Sequence, residues 1–245
     1  MKGIPWSYRF YRWGWSGMDL LFPPMCGGCG QIGSRWCEIC KGRVARIREP
    51  FCTKCGTPTL NNDICEKCLS NPPSYRALRS WAGFESPVRD ALLAVKYHRN
   101  IGLADAIATD MLEFVRSLQW MMEILIPVPS GAARLRERGY NQVALIARPL
   151  AYELGVAYAP NGLRRARETR SQVGLNASER RENVRGAYRA DPSVVERKSI
   201  VLMDDVATTG ATISACAEAL VAAGATEVRA LTVARAHARH DLNRV

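Results

Sequence analysis

The chain has 245 residues, 47% of them hydrophobic, which is enough apolar material for one large or two modest packed domains. Its 34 basic and 23 acidic residues leave a net charge of +11, a balance that favours anionic partners but fits a merely solvated surface too. No stretch approaches the ~20 apolar residues of a membrane span. The aromatic start, interrupted by Arg9 and Arg12, is unlike a secretory signal. We therefore expect a cytoplasmic protein with no membrane insertion.

Residues 1–25 form an amino-terminal arm in which aromatic and basic side chains mix. Its aromatic residues include Trp6, Tyr8, Phe10, Tyr11, Trp13 and Trp15. Two interpretations are open: the arm stacks on single-stranded bases, or it docks on its own domain. We favour docking, which is the commoner outcome for such segments.

Eight of the nine cysteines form four Cys-x-x-Cys pairs within residues 26–70. Each pair turns tightly enough to aim two thiolates at one tetrahedral ion, so two pairs complete a four-sulfur zinc site. The spacing predicts two structural zinc ions; iron–sulfur and redox-active pairs are minor alternatives. Consecutive pairing is simplest, and interleaved pairing satisfies the same chemistry. The predicted ligands are Cys26, Cys29, Cys37, Cys40, Cys52, Cys55, Cys65 and Cys68.

Residues 70–74 (SNPPS) are predicted to link the cysteine-rich module to an α/β domain over residues 75–240. Apolar periodicity predicts strands at 78–84, 124–129, 200–203 and 228–233, and helices at 87–97, 103–118 and 143–154. The alternation predicts a mainly parallel twisted sheet flanked by helices.

Two stretches before the last helix offer anion contacts. The apolar run 124–129 ends in prolines and is followed by Ser130 and Gly131, a turn whose exposed N–H groups suit a phosphate or pyrophosphate. Pro129, Ser130, Gly131 and, at the end of the 87–97 helix, Lys96 are therefore candidate contacts. The arginines that follow suit polyphosphate or a nucleic-acid backbone, or are simply solvated; they are Arg134, Arg136 and Arg138.

Residues 164–183 are polar and basic, with a helix-like patch only at 177–184. Long polar loops in compact domains are often lids that exclude water from a reactive site. A basic surface loop that has no role in binding or catalysis fits the composition equally well. Arg167 and Arg170 are the candidate catalytic arginines of such a lid.

Residues 199–212 hold the strongest pattern. An apolar run stops at Asp204 and Asp205, and small residues then open a helix. Free N–H groups and the helix dipole make such a loop a phosphate cradle, which Gly210 lets an anion approach closely. The two carboxylates repel a phosphate and instead suit the hydroxyls of the sugar that carries it, or a magnesium ion beside it. The candidate loop residues are Val206, Ala207, Thr208, Thr209, Gly210, Ala211 and Thr212.

Residues 204–212 (DDVATTGAT) resemble the phosphoribosyl pyrophosphate (PRPP) motif of type I phosphoribosyltransferases. That resemblance implies that the acidic pair holds the ribose 2′ and 3′ hydroxyls and that the loop holds the 5′-phosphate. From Asp19 onward nearly the whole chain resembles the ComF family. The further matching motifs are the cysteine pairs, 95–97 (VKY), 127–129 (PVP), 138–142 (RGYNQ), Gln172 and 179–183 (ERREN).

The ComF resemblance implies a double zinc ribbon at residues 26–70 and a type I phosphoribosyltransferase-like domain that binds PRPP with Mg²⁺. It implies a pyrophosphate loop at 127–131, a flexible catalytic loop at 167–176 and a link to DNA uptake in natural transformation. An enzyme of this kind is a glycosyltransferase in which a nitrogen nucleophile displaces pyrophosphate from C1 of PRPP. The alternative is a non-catalytic competence factor that binds single-stranded DNA and keeps a sensory or vestigial PRPP pocket.

Overall fold

A five-stranded, fully parallel sheet organises the molecule. The computed structural model describes Trp6 and residues 23–98, 100–167 and 177–236. The strand order is β1-β7-β6-β2-β3. The bounds are β1 Leu78–Gly83, β2 Ile124–Pro127, β3 Ala157–Tyr158, β6 Ser199–Ala207 and β7 Glu227–Arg235. The predicted α/β fold with a mainly parallel sheet is confirmed.

Helices cover both faces of this sheet, as buried parallel strands require. On one face lie α3 (Val88–Tyr97), α4 (Ile101–Ser117) and α6 (Gln142–Leu154); on the other lies α9 (Ala211–Ala222). Strand β6 alternates between the two cores: Val201 and Met203 pack with the three-helix side, and Ile200 and Leu202 pack with α9.

Five shorter elements complete the α/β domain: α5 (Ala132–Arg138), β4 (Leu163–Arg165), α7 (Ala177–Val184), β5 (Tyr188–Ala190) and α8 (Pro192–Val195). Strands β4 and β5 pair antiparallel, with Leu163 and Tyr188 buried against the α9 side. The expectation of a polar loop from residue 164 is therefore wrong at its start. The three residues of β4 are too few to show the alternation of a strand. They form a strand only because they pair with β5, which is distant in sequence.

The cysteine-rich segment packs directly on the α/β domain. It contains α1 (Glu38–Gly42) and α2 (Glu66–Ser70). Trp36 Nε1 donates to Asp110 Oδ2 at 2.9 Å, and Arg46 pairs with the same carboxylate at 3.1 Å. Further along, Leu78 N donates to Lys54 O at 2.7 Å. The predicted domain boundaries stay predictions, but the two parts share one core.

Apart from Trp6 and residues 23–25, the predicted amino-terminal arm lies outside the described residues. Within the described ranges, no helix combines the length and the apolar character needed to cross a bilayer.

Candidate functional site

The eight paired cysteines form two tetrads, Cys26/Cys29/Cys37/Cys40 and Cys52/Cys55/Cys65/Cys68, each with its sulfurs within 4.8 Å of one another. Zinc–sulfur bonds of ~2.3 Å in a tetrahedron set the sulfurs ~3.8 Å apart. The Cys29–Cys37 and Cys55–Cys65 sulfur separations are both 3.7 Å. Both tetrads therefore suit structural zinc, and the pairs group consecutively rather than interleaved.

Backbone N–H groups prepare the sulfurs for a cation. Burial opposes ionisation of Cys26 and Cys52, but N–H donors from their own turns and from the partner pair outweigh it and lower both pKa values to about 6. The N–H of Cys37 points at Cys26 Sγ at 3.4 Å, and that of Cys65 at Cys52 Sγ at 3.3 Å. Because four sulfurs fill each tetrahedron, no position is left open for a substrate.

Two loops lie at the carboxyl edge of the sheet: the β2 loop (residues 128–131) and the β6 loop (residues 208–210). The predicted loop over 206–212 is therefore too long, because Val206 and Ala207 end β6 and Ala211 and Thr212 begin α9. Strands β2 and β6 are neighbours, with Pro127 level with Met203, and Val128 N donates to Met203 O at 2.7 Å. From β2 the chain continues outward to β3, and from β6 it continues the other way to β7. Loops diverge at such a reversal and leave a crevice, the usual ligand position in open α/β sheets.

The β6 loop opens α9 as an anion cradle does. Gly210 is the N-cap in the left-handed region, at φ 76° and ψ 5°, and has no side chain with which to cap the helix, while Thr209 Oγ1 accepts from Ala211 N at 3.3 Å. A Cβ on Gly210 would stand 3.2 Å from Tyr75 Oη, so glycine serves both the backbone angle and the close approach. The β2 loop ends at the buried Gly131, the N-cap of the short helix α5.

Asp204 and Asp205 lie inside β6, whose pairing with β7 continues to Ala207, so the prediction that the strand stops at this pair is wrong. Their side chains point to opposite faces of the strand. Asp205 faces the three-helix side, where its Oδ2 lies 2.8 Å from Lys96 Nζ and accepts from Gln142 Nε2 at 3.1 Å. Its Oδ1 accepts from Val206 N at 2.7 Å. Burial opposes the charge, but these partners outweigh it and hold the Asp205 pKa below its usual range.

Asp204 is in the opposite electrostatic position. Its Oδ1 accepts only the N–H of Asp205, at 2.9 Å, among the hydrogen bonds found in the described residues. Desolvation, followed by the charge of Asp205, raises the Asp204 pKa to about 8. The pair therefore carries close to one negative charge at neutral pH, and a ligand that needs both carboxylates must displace the Asp204 proton.

The raised pKa of Asp204 predicts a pH-dependent stability. An unfolded aspartate titrates near pH ~3.9, so the folded chain holds this proton over a range in which the unfolded chain has lost it. This group alone therefore makes the free energy of unfolding fall as the pH rises from about 4 to about 8. Asp204→Asn removes that decline. We therefore expect the variant to gain melting temperature relative to the wild type as the pH rises from 6.5 to 8.5. The gain should be ~2–4 °C for each kcal/mol of unfolding free energy that the wild type loses over this range.

Scanning calorimetry across that pH range checks the expectation. Asp63→Asn, at an exposed aspartate of the second cysteine tetrad's loop, is the control and should shift the melting temperature equally at each pH. A pH-independent difference for Asp204→Asn would show that its carboxyl titrates normally.

Comparison with known proteins assigns this architecture. Residues 17–69 match the double zinc ribbon domain model and residues 97–244 match the phosphoribosyl transferase domain model. The DNA utilization protein YhgH of Salmonella typhimurium is 31% identical over 226 residues, 88% of this chain and 99% of the relative. The chain belongs to the ComF family.

Two further relatives of this ComF protein are named as competence proteins. Competence protein F of Haemophilus influenzae is 28% identical over 81% of this chain and 90% of its own. Competence protein ComFC of Bacillus subtilis is 24% identical over 81% of this chain and 83% of its own. Among solved structures, adenine phosphoribosyl transferase from Trypanosoma brucei overlaps at a TM-score of 0.40 and 13% identity, over 68% of this chain and 85% of that one.

Several predicted site residues lie elsewhere than the motifs alone indicate. Lys96 does not stand free for an anion, because its ammonium pairs with Asp205. Arg167 donates to the backbone oxygens of Asn183 and Arg185, at 3.2 and 3.0 Å, and so anchors its segment to the end of α7. Arg170 and the rest of the predicted flexible loop up to residue 176 lie outside the described residues.

The second zinc ribbon reaches the β6 loop, a contact that no sequence signal indicated. Lys67, between two zinc-ligating cysteines, donates to Thr209 O at 2.8 Å. Ser74 N donates to Ser214 Oγ at 3.2 Å, and Arg235, at the end of β7, bonds Thr57 Oγ1 at 3.1 Å and Cys55 O. A cavity of about 470 Å³ lies between the ribbon, α7 and α9. Its lining includes Lys67, Tyr75, Arg185, Gly210, Glu218 and Arg235.

Proposed function

We propose that this ComF protein binds PRPP with Mg²⁺ at the carboxyl edge of its sheet and transfers the phosphoribosyl group to a nitrogen acceptor. One observation carries the proposal: the acidic pair of β6, the β6 loop and the β2 loop lie at the carboxyl edge of two neighbouring strands, where the strand order reverses. A sugar flanked by a phosphate and a pyrophosphate matches that arrangement of donors and acceptors.

Each part of the crevice has one role in this proposal. Asp204 and Asp205 accept the ribose 2′ and 3′ hydroxyls, and residues 206–212 hold the 5′-phosphate through backbone N–H groups and threonine hydroxyls. Residues 129–131 donate to the pyrophosphate. The carboxylate oxygens of the pair would suit Mg²⁺, which when bound with PRPP would supply positive charge against the pyrophosphate.

The proposed transfer breaks the bond between C1 and the pyrophosphate oxygen, which leaves with the electron pair, and forms a bond from C1 to nitrogen. Backbone N–H groups of Ser130 and Gly131 stabilise the charge that grows on the departing oxygen, together with an arginine of residues 167–176. The proton of the nitrogen passes to pyrophosphate or solvent. The ribose carries cationic character at C1 in the transition state, so the crevice must exclude water. The second zinc ribbon is bonded to the β6 loop through Lys67, so in this proposal it helps to exclude water.

Calorimetry tests the binding step, and pyrophosphate release tests the transfer. PRPP with Mg²⁺ is expected to give saturable heat, and ribose 5-phosphate and pyrophosphate to bind more weakly, since each fills part of the crevice. A panel of purine, pyrimidine and amine acceptors should contain at least one that releases pyrophosphate. Absence of heat with PRPP and Mg²⁺ withdraws the proposal; heat without turnover leaves a PRPP-binding protein.

The second candidate function is binding of single-stranded DNA without catalysis. It is favoured by the net charge of +11 and by helix α5, which exposes Arg134 and Arg136 to solvent. The relatives' names, DNA utilization and competence protein, agree with a link to DNA uptake in natural transformation. Phosphate contacts predict an affinity that falls steeply with salt. DNA binding that persists in Asp204→Asn/Asp205→Asn would separate this function from the PRPP crevice.

We also propose a cytoplasmic location for the protein. None of the nine cysteines, all of which lie in the described residues, forms a disulfide, and eight of them form the two tetrads. Thiolate zinc sites persist where thiols stay reduced, as they do in the cytosol.

A further inference from the structure

Residues 138–142 (RGYNQ) contact no part of PRPP in the proposed function, yet their side chains reach three parts of the crevice. They run from the last residue of α5 to the first residue of α6, and Gly139 turns the chain at φ 83° between the two helices. The contacts of Gln142, Tyr140 and Asn141 together point to one purpose.

Gln142 connects an arginine to an aspartate. Its Oε1 accepts from Arg138 Nη1 at 3.0 Å, and its Nε2 donates to Asp205 Oδ2 at 3.1 Å. The side chain is buried at 8% exposure, so both amide atoms depend on these partners. A guanidinium only donates and a carboxylate only accepts, and a side-chain amide is the neutral group that satisfies both ends.

Tyr140 and Asn141 hold the neighbouring backbone. Tyr140 Oη donates to Val95 O at 2.6 Å, in the turn of α3 that carries Lys96. Asn141 Nδ2 donates to Val128 O at 3.0 Å, at the start of the β2 loop, while its Oδ1 caps α6 by accepting from Val143 N. One five-residue segment thus forms hydrogen bonds to the helix turn that carries Lys96, to the β2 loop and to Asp205.

We propose that residues 138–142 are the positioning element of the crevice, with Gln142 orienting Asp205 against Lys96 so that the acidic pair meets the ligand correctly. The inference rests on the proposed PRPP site and assigns Gln142 a role through Asp205, without contact to PRPP. Four charged groups surround Gln142 or its partner: Arg138 from α5, Lys96 from α3, and Asp204 and Asp205 from β6.

Gln142→Leu removes both hydrogen bonds of the side-chain amide and keeps a side chain of similar volume. We expect the dissociation constant of PRPP with Mg²⁺ to rise about tenfold or more, because a hydrogen bond to a charged group is lost and Asp205 is then held by Lys96 and Val206 N without the amide. Tyr140→Phe removes one hydroxyl and should weaken binding about threefold. Gln31→Leu, at an exposed glutamine of the first ribbon, is the matched control and should bind as the wild type does.

Gln142→Glu supplies a readout that a purely structural residue would not change. A protonated glutamic acid can still donate to Asp205, whereas its anion repels it. The ratio of this variant's PRPP affinity to that of the wild type should therefore fall as the pH rises from 6 to 8.5. Wild-type affinity should rise over the same range as Asp204 loses its proton.

The outcomes separate the two proposals. If the wild type gives no heat with PRPP and Mg²⁺, the proposed function is wrong and this inference goes with it. If the wild type binds but folded Gln142→Leu and Tyr140→Phe bind equally well, only the positioning role is wrong. Parallel pH profiles for Gln142→Glu and the wild type would overturn it as well.

Discussion

Replacing both Asp204 and Asp205 with asparagine is expected to abolish PRPP binding while leaving the fold intact. Each carboxylate accepts a ribose hydroxyl in the proposed complex, and a hydrogen bond to a charged group contributes about 1.5–3 kcal/mol. Loss of two such bonds corresponds to at least a hundredfold weaker binding, before any loss of the magnesium contact. Calorimetry with PRPP and Mg²⁺ measures it, and pyrophosphate release should vanish in the same variant.

The single variants sharpen this test because the two carboxyls differ. Asp205→Asn leaves the Lys96 ammonium without its anion, 2.8 Å away, so it should lose stability as well as affinity. Asp204→Asn should gain stability at alkaline pH and still lose affinity, since its carboxyl is the one held near a pKa of about 8. Asp63→Asn serves again as the exposed control. PRPP binding within twofold of the wild type in the double variant would disprove the assignment of the pair.

Loss of the second zinc site is expected to weaken PRPP binding through the β6 loop, whereas loss of the first zinc site should only lower the stability of the fold. Cys65 and Cys37 are a matched pair: each is the third ligand of its tetrad, the N-cap of a short helix and partly buried. Serine at either position should reduce the zinc content from two ions to one and lower the melting temperature. Only Cys65→Ser frees the helix that carries Lys67 and its bond to Thr209 O.

Measured below both melting temperatures, PRPP affinity should drop about tenfold or more in Cys65→Ser and stay within about threefold of the wild type in Cys37→Ser. Lys67→Met, which keeps both zinc ions, should reproduce part of the loss. Lys41→Met is its counterpart in the first ribbon, where Lys41 pairs with the exposed Glu38. Equal affinity losses in the two cysteine variants would show that zinc acts on overall stability alone.

The zinc tetrads and the proposed PRPP loop could be predicted from sequence because each lies in a short stretch of the chain. Four Cys-x-x-Cys pairs prescribe sulfur tetrads through local turn geometry, and both tetrads formed as the spacing indicates. Within residues 199–212 the predicted strand, glycine turn and helix start are present as β6, Gly210 and α9, although β6 extends past the acidic pair to Ala207. The periodicity of the apolar residues likewise indicated α3, α4, α6, β1 and β7 to within a few residues.

What sequence alone determined, then, is the identity of the ligand-bearing segments, because the physics of a turn, a cap or a strand end acts over a few neighbouring residues. Tertiary structure alone decided how those segments act on one another. The Lys96–Asp205 pair, the amide of Gln142 beneath it and the lysine of the zinc ribbon on Thr209 O join residues 63 to 142 positions apart along the chain. No local pattern encodes such contacts, since they exist only once both cores have packed and the parallel strands have brought their carboxyl ends together.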